Sequence, residues 1–95
     1  MNTQAMHGEG IKPRFAPHVR FKFDRRRGQW VVLAPERLLL PDENSVEILQ
    51  RCTGDATLAD IIDQLSAEFD APRGEIAGDV RAMVQDLADK GILSL

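Results

Sequence analysis

The chain has 95 residues, of which 43% are apolar and 28% charged, and a net charge of −3. That composition describes one small globular domain with a modest core and argues against a disordered chain. A lone cysteine, Cys52, excludes an intramolecular disulfide framework, and no apolar run approaches the roughly 20 residues needed to span a bilayer.

The charge is unevenly divided. Residues 1–40 carry eight Lys/Arg against three acids, whereas residues 41–95 carry four against twelve. A basic front half and an acidic back half show partners surfaces of opposite sign. Aromatic residues are few and tyrosine is absent, so the core is expected to be aliphatic, with no platform for stacking bases. The single cysteine fits a reducing compartment and the N-terminus has no continuous apolar segment of the secretory kind, so a soluble, cytoplasmic protein is expected.

In chain order, residues 1–17 hold Gly8, Gly10, Pro13 and Pro17 with little periodic apolarity, and are expected to form a mobile tail ahead of a domain spanning 18–95. "HVRFKF" (18–23) alternates Val19, Phe21 and Phe23 with Arg20 and Lys22, which predicts a strand with one dry face. "DRRRGQ" (24–29) suits a hairpin loop, and the β-branched, aromatic "WVVLA" (30–34) returns as a second strand. "PERLLL" (35–40) gives a third strand after a tight turn.

The second half reads as helical. Asn44 with Glu47 resembles a capping box opening the first helix, which Gly54 is expected to close in a left-handed conformation. Thr57 and Asp60 have capping-box spacing at the start of the second helix, whose stripe is Leu58, Ile61, Ile62, Leu65 and Phe69. Pro72 breaks that helix and starts a third, carrying Ile76, Val80, Met83, Val84 and Leu87 and stopping at Gly91. "ILSL" ends the chain as an extended apolar segment. A three-stranded antiparallel meander followed by three helices predicts a small winged-helix-like α+β domain.

Catalytic constellations are sparse. His7 and His18 lie in or beside the expected tail, and one cysteine outside it leaves no four-ligand zinc set. Neither a phosphate-cradling P-loop nor a dinucleotide glycine motif occurs, and Ser45, Ser66 and Ser94 lie outside any nucleophile elbow. Cys52 falls at apolar helical spacing with Val46, Ile48 and Leu49, which reads as a buried thiol. The acids Asp60, Asp63, Asp79 and Asp86 read as solvated helix faces. No catalytic residue, metal or cofactor is therefore expected.

Two kinds of partner remain. Arg25, Arg26 and Arg27 at a hairpin tip offer a wing for phosphates, but the third helix holds more acids than bases and would be repelled from a groove of DNA. Nucleic acid binding, or a regulatory winged helix, is thus the alternative reading. A polypeptide is the leading one: "RLLL" is a candidate edge strand whose unpaired N–H and C=O groups another strand can complete. Alternation is expected to set Leu38 and Leu40 against the helices and to expose Leu39. The same edge also permits pairing with a second copy, so both monomer and homodimer are open.

The stretches "RRGQWVVLAPERLLLPDENSVEIL", "CTGDATLADII" and "LADKGIL", in this order over residues 13–93, resemble the PqqD family of pyrroloquinoline quinone (PQQ) biosynthesis. That family falls within the RiPP recognition elements, which serve ribosomally made, modified peptides. The resemblance implies a cofactor-free, non-enzymatic peptide chaperone. It would bind the precursor peptide PqqA and present it to the radical SAM enzyme PqqE, which cross-links a glutamate and a tyrosine of that peptide. It also implies that the peptide adds to the third strand, at Arg37, Leu38, Leu39, Leu40 and Pro41. The opposing wall would be the third helix, at Ile76, Val80, Met83, Val84 and Leu87.

Overall fold

A computed structural model of the chain describes residues 8–95. Its main sheet is the antiparallel meander β2 (Arg20–Asp24), β3 (Gln29–Ala34) and β4 (Arg37–Leu39), in that spatial order. The β2–β3 turn is organised by Asp24, whose carboxylate accepts the backbone N–H groups of Arg26 and Arg27 at 2.9 and 3.2 Å. Gly28 completes the turn at φ +68°, where a side chain would be strained. Cross-strand register places Phe21 opposite Val32 and Val32 opposite Leu39, so these three share the face turned to the helices. Along the same face the aromatic rings stack, Phe15 on Phe21 at 5.4 Å and Phe21 on Trp30 at 4.7 Å, with Phe23 edge-on to Trp30 at 5.8 Å.

Three helices follow, α1 (Glu43–Leu49), α2 (Leu58–Phe69) and α3 (Arg73–Asp89). α1 is capped by Asp42, not by the expected Asn44: Asp42 has extended backbone and accepts the Ser45 N–H at 2.8 Å. Pro41 accounts for the shift, because it holds the chain extended until the residue after it can cap. α2 has the capping box expected of Thr57 and Asp60, with the reciprocal bonds at 3.0 and 3.1 Å. Its stripe buries Leu58, Ile61, Ile62 and Leu65, but Phe69 at the last turn is 44% exposed, contrary to expectation. α3 starts at Pro72 and stops before Gly91, at φ +76°.

The largest departure from the sequence reading is at the N-terminus. Residues 8–17 do not behave as a tail: backbone N–H groups of Gly54, Leu58 and Ala59 donate to the carbonyls of Pro13, Ile11 and Glu9 at 2.8–2.9 Å. β1 (Arg14–Phe15) pairs with β5 (Leu93–Ser94) in a second, two-stranded sheet, which gives "ILSL" its partner. Glu9 is held by Arg73 at 2.6 Å and Arg81 at 2.8 Å, tying the segment to α3. The folded unit therefore begins before residue 18, while residues 1–7 and His7 lie outside the described residues. Gly54 is left-handed as expected, at φ +89°, but α1 has already ended. Its role is close approach: a Cβ there would sit 3.3 Å from Cβ of Arg14.

The core is aliphatic: Val32, Leu49, Leu58, Ile61, Ile62, Leu65, Val80, Val84 and Ile92 are all nearly inaccessible. Cys52 is buried among them, and burial pushes its thiol up to about 12. The architecture is thus α+β, antiparallel strands with three helices, augmented by the β1–β5 pair.

Candidate functional site

β4 bonds to β3 on one side only, so its other edge carries no strand among the described residues. Beside that edge lies a cavity of about 220 Å³ between β4, the N-terminal turn of α1 and the C-terminal half of α3. Leu39, Leu40 and Pro41 form one wall, and Met83 and Leu87 the opposite one, with Val32 and Leu49 as floor. Ser45 and Asp86 supply the polar rim, and Asp86 is engaged by Lys90 at 2.9 Å. An apolar trough with a few polar groups beside an unpaired backbone edge can take an extended chain, bonding its backbone and burying alternate side chains.

The ten residues singled out from sequence are only partly gathered there. Leu39, Leu40, Pro41, Met83 and Leu87 meet at the cavity. Val80 and Val84 are core residues, and Ile76 packs partly buried against the same core in the N-terminal half of α3. Arg37 and Leu38 belong to β4 but lie outside the cavity. The expected facing of the leucines is also reversed. Leu39, opposite buried Val32, packs against the core, while Leu38 is 44% and Leu40 52% exposed. The register explains the reversal: the two-residue turn after Ala34 pairs it with Arg37, which sets Leu39, not Leu38, on the face of Val32. Val32, Ser45, Leu49 and Asp86 were missed, and for Val32 the strand register was the signal.

α1 is held in place by Arg51. Its guanidinium donates to the Glu47 carbonyl at 2.7 Å and carboxylate at 3.0 Å, and to Glu68 on α2 at 2.7 Å. On the other side of Pro41 a wider depression of about 680 Å³ lies between Phe23, Trp30 and Phe69, rimmed by Asp42, Glu43 and Glu47. The Asp42 carboxyl is held below its usual range by the Ser45 N–H and hydroxyl, as befits a helix cap. The Glu9 carboxyl is lowered chiefly by its hydrogen bond from Arg73, with Arg81 adding to it against some desolvation. Among the described residues no group of three or more His, Cys, Asp or Glu is placed to hold a metal ion. No helix among them is long and apolar enough to cross a membrane.

Fold and site together define a small α+β domain in which the β4 edge of the sheet, unpaired among the described residues, faces an apolar helix wall. The family model described as "Coenzyme PQQ synthesis protein D (PqqD)" matches residues 29–93. A "PqqA binding protein" of Rhodopseudomonas palustris is 56% identical over 86 residues, covering 90% of this chain and 84% of the relative. One from Bradyrhizobium diazoefficiens is 51% identical with the same coverage. Among solved structures, the PqqD truncation of Methylobacterium extorquens PqqCD, described as a stand-alone RiPP recognition element, superposes with a TM-score of 0.72. It is 36% identical, covering 87% of this chain and 88% of that one. PqqD from Xanthomonas campestris superposes with a TM-score of 0.60 at 43% identity, covering 83% and 88%. The chain belongs to the PqqD family.

Proposed function

We propose that this chain is a peptide chaperone of PQQ biosynthesis that binds the precursor peptide PqqA as a strand added to β4. The observation that carries the reading is the unpaired edge of β4 beside the cavity walled by Met83 and Leu87. Arg37, Leu38, Leu39, Leu40 and Pro41 supply the edge, and each backbone bond to the guest strand contributes about 1 kcal/mol net. Met83 and Leu87 receive its apolar side chains, with Ile76, Val80 and Val84 backing that wall as part of the helix. Relatives bearing the name "PqqA binding protein" support the choice of ligand. The bound peptide is then presented to the radical SAM enzyme PqqE for the glutamate–tyrosine cross-link. In this reading the chain acts in the cytoplasm, supplies position only, and contributes no catalytic group or cofactor.

Titration of isotope-labelled protein with PqqA, followed by amide NMR shifts, is the direct test. The expected perturbations fall on residues 37–41 and on α3 from 76 to 87. Shifts confined to the Arg25–Arg27 loop would rule the groove out.

A further inference from the structure

The second face of the main sheet carries a partly exposed apolar strip. Register fixes its membership: Arg20 lies opposite Leu33 and Lys22 opposite Val31, and Leu33 in turn lies opposite Leu38. None of these side chains belongs to the cluster packed with the helices. Val31 is closed off at 1% exposure, Leu33 is half-buried, and Leu38 at the sheet edge is 44% exposed. The result is an apolar strip running across β3 and β4, bordered on β2 by two exposed cations. Neither Arg20 nor Lys22 has an ion-pair partner among the described residues. Asp24, the one acid on these strands, is occupied by its own turn and by Arg27 at 3.2 Å.

The strip ends at the open edge of β4. A strand added there sends alternate side chains to the helix side and to this outer side. Bound peptide would therefore extend the row begun by Leu33 and Leu38, making one continuous surface from two chains. We infer that this outer face docks a protein surface whose apolar patch is fringed by carboxylates, and that the added peptide strand completes the docking site. The inference rests on the reading that a peptide adds to β4, under which the docking protein is PqqE. Unpaired cations steer and orient such a partner, and the leucines supply the desolvated centre. Nucleic acid fits less well, since phosphates leave the leucines without apolar contact. Because the two ligands share a surface, each raises the affinity for the other by the same factor.

The test measures PqqE binding calorimetrically for the wild-type chain, R20E/K22E and Leu38→Ser, each with and without PqqA. Amide spectra confirm that each variant is folded. R20E/K22E is expected to weaken PqqE binding by about tenfold or more, with PqqA affinity changed less than about twofold. Leu38→Ser should weaken PqqE binding in the same direction, and PqqA should tighten PqqE binding to the wild type by about fivefold. Unchanged PqqE affinity in R20E/K22E, or no PqqE binding by the wild type, overturns the assignment of the face. Equal PqqE affinity with and without a demonstrably bound peptide overturns the composite surface. Absence of PqqA binding to the wild type sinks the peptide reading and the composite surface with it, while the R20E/K22E arm still decides the face. Tight binding of the wild type to duplex DNA or phosphatidylserine vesicles, lost in R20E/K22E while PqqE binding persists, also refutes the proposal.

Discussion

Leu38 and Leu39 are adjacent in sequence and lie on opposite faces of β4, so the same substitution at each should have very different consequences. Leu39 packs on the core opposite Val32, which is 1% exposed. Leu39→Asp removes most of a leucine's burial, about 1.5–2 kcal/mol. It also sets a carboxylate too short to reach water easily beside Leu87 and Leu49, adding about 1–2 kcal/mol. The total is about 3 kcal/mol. Leu38→Asp removes a side chain already 44% exposed, and about 1 kcal/mol or less of strand preference. Urea unfolding followed by circular dichroism measures both. With a slope of about 1–1.5 kcal/mol/M for a domain of this size, the Leu39 variant's midpoint should fall by about 2–3 M, and the Leu38 variant's by less than about 1 M.

The sign with pH gives an internal control. Desolvation raises the folded-state pKa of the carboxylate introduced at position 39 above its unfolded value near 3.9. The folded state then binds the proton more tightly, so the variant recovers stability as pH falls towards that value and loses it as pH rises through the folded pKa. Equal loss at both positions, or a larger loss at Leu38, would refute the facing of β4 and with it the groove.

The Glu9 clamp gives a second pH test. Its carboxyl is lowered mainly by the bond from Arg73, so the clamp's contribution is complete above the ordinary glutamate range and is lost as pH falls through the lowered value. Protection against hydrogen exchange, relative to the intrinsic rate at each pH, should fall at acid pH for the amides of Leu58 and Ala59, which bond to Ile11 and Glu9, before it falls for the α2 core. Glu9→Gln should show the lower protection already at neutral pH. Cys52, with its thiol pushed up to about 12, should resist a disulfide-exchange reagent at pH 8 in native buffer and react fully in denaturant. Rapid native labelling would contradict its burial.

Local chemistry made much of this fold legible before any coordinates. Thr57 and Asp60 announce α2 because a capping box satisfies its own backbone groups without help from elsewhere. The meander follows from alternation at Val19–Phe23 and the β-branched run at Trp30–Leu33. What stayed hidden depends on long-range partners. Ile11, Pro13 and Phe15 do alternate with exposed Lys12 and Arg14, but three residues among glycines and prolines carry a weak period, and their strand partner lies near residue 93. Phe69 continues the apolar spacing of α2, yet it falls at the helix end beyond the reach of the core. The leucine triplet was ambiguous by nature. With apolar residues at Leu38, Leu39 and Leu40, either facing satisfies the pattern, and only the length of the turn after Ala34 decides between them.

That ambiguity bears on how the site should be dissected. Val32, Leu49 and Leu87 at the cavity are core residues, so truncating them lowers stability and affinity together and distinguishes nothing. Met83 is partly buried, while Leu40 is half exposed and Pro41 partly exposed, so they touch the groove without anchoring the fold. The short strand β4 thus divides its work among three directions: Leu39 holds the sheet to the helices, Leu38 faces the outer side, and the backbone edge carries no strand among the described residues. Leu40 and Pro41 then turn the chain into α1 at the mouth of the groove. Apolar residues on both faces of β4, Leu38 and Leu39, are what the proposed reading requires, because under it a peptide and its recipient would leave neither leucine to face water alone.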